Sequence, residues 1–190
     1  MEKQIIIWRE EMNLGLKNDE VNIVPFSEEW IKEFSRVRKE IHQSTNISED
    51  RIVHIGSTAI KGMMAKPILD ILVAVDDLTT VDISIINGLK SIGFLRLRVQ
   101  RPNEIVFAKF ADQTYQVKTH YIHLVEFEKE LWKDLIFFRD YLNANEKSRE
   151  EYLNLKLDYI KKHSTGVNAY TDHKEKFVKS IFKKRTGQKK

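Results

Sequence analysis

An α+β fold, with a mixed or largely antiparallel sheet, flanking helices and a helical C-terminal third, is what this sequence predicts. Three observations lead there. Trp30, Phe34, Val37 and Ile41 recur at the spacing of one buried helical face. Between Arg51 and Val125, short apolar runs bounded by turn residues read as strands. Beyond Glu128 the patterning is helical to near the end of the chain. Strands first and helices afterwards is the order of an α+β chain.

Taken in order, Ser27 is placed to cap a helix running to about Ser44. Arg51 to Ile55 reads as a short strand, followed by a loop from Gly56 through Ser57 and Thr58 to Met64. Pro67 opens the run PILDILVAV, which ends at Val75. A run without alternation suggests a strand covered on both faces. Asp70 interrupts it. Thr80 to Ser91 fits a helix stopped by Gly93. Phe94 to Val99 alternates, with Leu95, Leu97 and Val99 opposite Arg96 and Arg98. Arg101-Pro102-Asn103 is a turn, and strands follow near Glu104–Phe110 and Tyr115–Val125. Helices are expected over Glu128–Asn143, Glu146–Lys162 and Thr171–Lys184.

Composition sets the outer bounds. With 190 residues, 42% hydrophobic and 32% charged, a single domain with one core is expected over residues 1–190, its centre at 21–182. The absence of cysteine excludes a disulfide scaffold, a thiol nucleophile and a cysteine zinc site. No apolar run approaches the ~20 residues that cross a bilayer. The three-Ile run within Met1–Arg9 is too short and too acidic in its flanks for a signal peptide. A cytoplasmic protein without membrane partners is expected. The formal charge of +4 is concentrated at one end, with eight basic residues and one acid from Lys174 to Lys190. The rest of the chain is therefore slightly acidic, and the basic tail at 183–190 reads as a solvated end. Nucleic acid is an unlikely partner, since the tail lacks the interleaved aromatics that stack on bases.

The stretch His54 to Val75, HIGSTAIKGMMAKPILDILVAV, holds the chemistry-bearing residues. A Gly-Ser-Thr turn leaving a strand brings backbone N–H groups and two hydroxyls into a small space, suited to phosphate oxygens. Many such turns are ordinary turns. Asp70 in an apolar strand costs several kcal/mol of desolvation unless paired or bound to a metal. Alternatively it reaches the sheet rim, accepting a backbone hydrogen bond or pairing with Lys66.

These residues resemble the GrpB family of small bacterial proteins, which has a nucleotidyltransferase-like, polymerase-beta-type fold. The resemblance rests on Val24-Pro25-Phe26 with Trp30, HIGSTAIKGMMAKPILDI, and THYIHLV at Thr119–Val125. It continues through FFRDYL at Phe137–Leu142, Tyr152 with Lys156, and Tyr170 with Lys174 and Phe177. It implies a metal-dependent nucleotidyltransferase-like protein in which a Gly-Ser loop grips nucleoside triphosphate and strand carboxylates hold two Mg²⁺ ions. Gly56 and Ser57 match the loop, with Thr58 beside them, and Asp70 matches the first carboxylate. The second carboxylate position, two residues on, is Leu72. The departure leaves a non-catalytic nucleotide or phospholigand module as the alternative.

The histidine strand supplies His120 and His123 as metal-ligand candidates. They point to opposite faces of a regular strand, and His123 is the one expected beside Asp70, as ligand or proton acceptor. Imidazole would favour Mn²⁺ or Zn²⁺ over Mg²⁺. His54 joins this cluster or orients the loop. Lys66 is a candidate for phosphate charge, and Lys61 is more simply a solvated side chain. Arg139 either reaches phosphate as a bidentate donor or pins its helix to the sheet. Tyr152, Lys156, Tyr170 and Lys174 suit either ligand binding or packing, with Tyr170 and Lys174 one helical turn apart.

Overall fold

Asp70 lies near the start of a strand that is otherwise buried, and the fold is built outward from that strand. The computed structural model describes residues 14–187. The N-terminal Ile-rich run and the last three lysine- and glutamine-bearing positions lie outside them. The elements run β1 (Leu16–Lys17), α1 (Glu29–Thr45), β2 (Ile52–Ile55), β3 (Leu69–Val75), α2 (Ile83–Ser91) and β4 (Phe94–Arg96). They continue with β5 (Ile105–Phe110), β6 (Val117–Glu126), α3 (Glu130–Ala144), α4 (Glu146–Ile160) and α5 (Val167–Gly187).

The sheet order is β2-β3-β6-β5-β4, with β1 paired to β6. Among the described residues only β3 and β6 pair in parallel, and the other strand pairings are antiparallel. The expected α+β class with a mixed sheet is therefore what the chain adopts. The two-residue β1 has no counterpart in the sequence reading, because two residues carry no periodicity.

The uninterrupted apolar run of β3 reflects burial from both sides. Ile71, Val73 and Val75 pack with Val37 and Ile41 of α1, Leu89 of α2, and Ile122 and Leu124 of β6. Leu72 and Ala74 turn the other way, towards Val125 and Trp132 of α3. A third cluster joins Ile60 and Met63, in the loop after β2, to Phe138, Leu142, Tyr152 and Ile181 of the C-terminal helices. That loop is thus clamped by α3, α4 and α5.

Local signals explain several boundaries. The N-cap of α1 is Glu28, one residue past the expected Ser27, whose hydroxyl nonetheless accepts from Glu29 N–H at 3.2 Å. Asp82 caps α2 by accepting from Ser84 N–H at 2.7 Å, two residues later than the expected start. β4 ends at Arg96, short of the expected Val99, which is 45% exposed. The basic residues from Lys183 do not form a free tail among the described residues. α5 continues to Gly187, and Arg185 donates to Asp134 at 2.6 Å and pairs with Glu130, both on α3. No helix among the described residues is long and apolar enough to cross a membrane.

Gly88 of α2 permits the close crossing over α1. A Cβ there would meet the Ser44 carbonyl oxygen at 2.1 Å. Gly88→Ala is expected to force the helices apart and destabilise the protein by about 1–3 kcal/mol, at the upper end because the obstacle is backbone. Denaturant unfolding with an unchanged m value checks it.

Candidate functional site

The turn after β2 is shaped by a glycine. Gly56 has φ +70°, and a Cβ at this position would meet Asp70 Oδ2 at 2.3 Å. Only a residue without a side chain lets the carboxylate of β3 lie against the turn. Ser57–Ala59 then forms one 3₁₀ turn. Its leading N–H groups have no acceptor within the turn. Gly56, Ser57 and Asp70 are all half-buried.

On β6, His123 sits across from Leu72 in the parallel register, and Val106 of β5 is on its other side. Its Nε2 lies 3.6 Å from Asp70 Oδ1, and its Nδ1 is 2.7 Å from Glu104 Oε2. Burial alone would disfavour a charged ring, but carboxylates on both sides outweigh it and raise the His123 pKa to about 9. Glu104 is drawn below the usual carboxylate range: burial opposes the shift, while His123 and then Arg101, which donates to it at 3.2 Å, carry it. The row Asp70–His123–Glu104–Arg101 therefore alternates in charge across β3, β6 and the turn before β5.

Three lysines gather on the other side of the turn. Lys156 of α4 is buried, and its ammonium donates to Ser57 Oγ at 3.4 Å and to the Met64 carbonyl. The Nζ atoms of Lys66 and Lys174 lie 4.5 and 4.1 Å from the centroid of the Tyr170 ring. None of the three makes a salt bridge among the described residues. Burial, aided by the nearby Lys174 charge, lowers Lys156 to about 7 and Lys66 to about 8. Burial likewise lowers Lys174 to about 8, against the pull of Asp70. The cluster thus has no carboxylate within salt-bridge distance among the described residues, and Lys156 carries it to the Gly-Ser turn where phosphate oxygens were expected.

The sequence-predicted residues divide accordingly. Gly56, Ser57, Asp70, Lys66 and His123 come together. Thr58 does not present its hydroxyl: it is 1% exposed, and its Oγ1 is 2.9 Å from His54 Nε2. His54 orients the loop from beneath, stacked on Phe34 and lowered to about 4 by burial. Arg139 donates to the His54 carbonyl at 2.9 Å and to Asp140 at 2.7 Å, so it pins α3 to β2 instead of reaching into the lysine cluster. His120 lies on the opposite sheet face, 3.2 Å from Glu33 and edge-on to Phe94, because odd spacing separates it from His123. It is not part of one ligand set with Asp70 and His123. Tyr170 is buried with lysines at its ring, leaving no face for a base.

Glu104 was missed altogether; its contact with His123 depends on strand register. Lys156 and Lys174 stood out in the sequence only as ambiguous helical residues. Their one local signal is a lysine four residues after a tyrosine, twice.

A two-cation centre does not fit these side chains. The second carboxylate position, Leu72, is fully buried against Ile55, Val125 and Trp132, and Asp70 faces a histidine already shared with Glu104. Among the described residues no group of three or more His, Asp or Glu side chains is arranged to hold a metal ion.

The site thus sets a Gly-Ser turn leaving β2 against an aspartate near the start of β3, on a mixed sheet. The chain matches the GrpB protein family over residues 20–184 and belongs to it. It is 40% identical over 169 residues to the glutamate-rich protein GrpB of Alkalihalophilus pseudofirmus, covering 88% of this chain and 97% of that one. The fold is shared with conserved protein GrpB from Enterococcus faecalis, at TM-score 0.71 and 24% identity, covering 86% and 96% of the two chains. Cid1 poly(U) polymerase overlaps it more loosely, with TM-score 0.49 and 17% identity over 70% of this chain and 43% of its own.

The buried lysines make a pH prediction with a definite sign. A lysine depressed to about 7 in the folded state binds fewer protons than its unfolded counterpart between there and 10.5, so its cost to stability fades as pH rises through that window. Lys156→Met removes the cost. The variant's melting temperature relative to wild type should be most favourable at or below pH 7 and decline steadily towards pH 10. A difference independent of pH would show that Lys156 is not held charged against burial.

Proposed function

We propose that this protein binds the phosphate chain of a nucleoside triphosphate between the Gly56–Ser57 turn and the ammonium groups of Lys66, Lys156 and Lys174. The observation that carries the reading is the convergence of three lysines without carboxylate partners on a half-open glycine-serine turn. Like charges held together in a low-dielectric setting raise one another's energy, and a polyanion relieves that cost. The turn adds N–H and hydroxyl donors at the same place. Lys66 comes from the segment before β3, and Lys156 and Lys174 come from α4 and α5, so the ligand would bridge sheet and helices.

Thermal unfolding with nucleoside mono-, di- and triphosphates tests this. Ligand at 100 times its dissociation constant adds ~2.7 kcal/mol to stability. The triphosphate is expected to give the largest rise in melting temperature. Lys174→Met and Lys66→Met should each weaken binding by at least tenfold, equivalent to about 1.4 kcal/mol. No rise with any nucleotide would end this reading.

Nucleotidyl transfer is a second reading, favoured by the contact of Asp70 with Gly56 beside the phosphate-binding turn. Pyrophosphate release against a panel of hydroxyl-bearing acceptors decides it. Turnover in the wild type that vanishes in Asp70→Asn supports transfer, and binding without pyrophosphate release leaves a phospholigand-binding protein.

A further inference from the structure

The site has a feature at odds with the two-cation chemistry implied by its fold. Where the second carboxylate would stand, Leu72 is fully buried in an apolar cluster with Ile55, Ala74, Val125 and Trp132. Directly across the parallel register stands His123, held between Glu104 at 2.7 Å and Asp70 at 3.6 Å. The neighbour of Asp70 is thus a basic side chain instead of a second acid. Two carboxylates and one imidazole leave this row with little net negative charge to attract a divalent cation. The opposite wall of the turn carries Lys66, Lys156 and Lys174.

We infer that the nucleotide is bound without a divalent cation: Lys66, Lys156 and Lys174 supply the positive charge that a metal pair supplies in the parent fold, and Asp70 clamps the Gly56 turn to His123. The inference rests on the phosphate-binding reading above and specifies the ionic form of its ligand. Asp70 is then a positioning residue. Its carboxylate packs against Gly56 on one side and pairs with His123 on the other, fixing the turn against β3 and β6. To a metal-free phosphate chain it is a nearby negative charge and no anchor for a cation, so its removal should change binding alike with and without Mg²⁺.

The experiment is a titration of the full-length protein with ATP, once in EDTA and once in excess Mg²⁺, for wild type and Asp70→Asn. The wild type should bind in EDTA at least as tightly as in Mg²⁺, since Mg²⁺ masks charge that the lysines would otherwise meet. Asp70→Asn should show the same ratio of ATP affinities in the two buffers as wild type, whatever the loss of the clamp does to both. A loss of about tenfold or more on removing Mg²⁺ from the wild type, or a ratio that shifts by as much in Asp70→Asn, overturns the inference while leaving phosphate binding intact. A second arm uses Mn²⁺ alone and reads paramagnetic broadening of backbone amide resonances. No Asp70-dependent broadening near Gly56 and His123 at millimolar Mn²⁺ supports the inference. Broadening there that disappears in Asp70→Asn overturns it. If ATP fails to bind in either buffer, the phosphate-binding reading falls and the Mn²⁺ arm alone judges the absence of a cation site.

Discussion

The contact between Gly56 and Asp70 sets the geometry around it. Because the turn has no side chain at Gly56, a strand carboxylate can lie against the backbone that would cradle a ligand. That approach fixes the start of β3 relative to the end of β2, and β3 in turn sets the register of β6, which delivers His123. From the turn, Ile60 and Met63 reach into the C-terminal helices and bring Lys156 over Ser57. A site drawn from five elements thus hangs on one missing Cβ.

Charge is distributed across this site in an orderly way. One wall alternates acid and base from Asp70 to Arg101, and the other is made of lysines with aromatic rings beneath them. The first wall is internally neutralised, so it costs little to bury and offers little to an ion. The second is held against its own repulsion by packing of Tyr152, Phe177 and Tyr170. Apolar contacts around these rings hold the lysines in place.

Much of this was legible in the sequence where the signal was local. The unalternating run at β3 announced burial on both faces, and Asp70 stood out against it. The glycine-serine turn was a local motif, the opposite facing of His120 and His123 followed from strand geometry, and the placing of His123 beside Asp70 came from the family resemblance. What could not be read was register and depth. Glu104 touches His123 because β5 pairs with β6 at Val106, a fact no short window contains. Thr58 and Ser57 are neighbours of similar chemistry, but the 3₁₀ turn sends one inward to His54 and leaves the other facing Lys156. Lys156 and Lys174 read as ordinary helical lysines until the loop is docked on α4 and α5. The alternation of Phe94–Val99 promised a longer strand than β4, because periodicity records facing and not how far a partner extends.

The parallel pairing of β3 with β6 has a consequence for how the chain reaches this state. Residues 76–116 intervene, so bringing the two strands side by side closes a loop of about forty residues, whose entropic cost grows only slowly with length but precedes any contact that offsets it. The antiparallel hairpin of β5 and β6 and the helical hairpin of α3 and α4 have no such delay. Local pieces should therefore assemble early, with the central pairing as the slow, rate-limiting event expected of non-local topology. Asp70 and His123 meet only at that step, so their ion pair arrives together with the completed sheet.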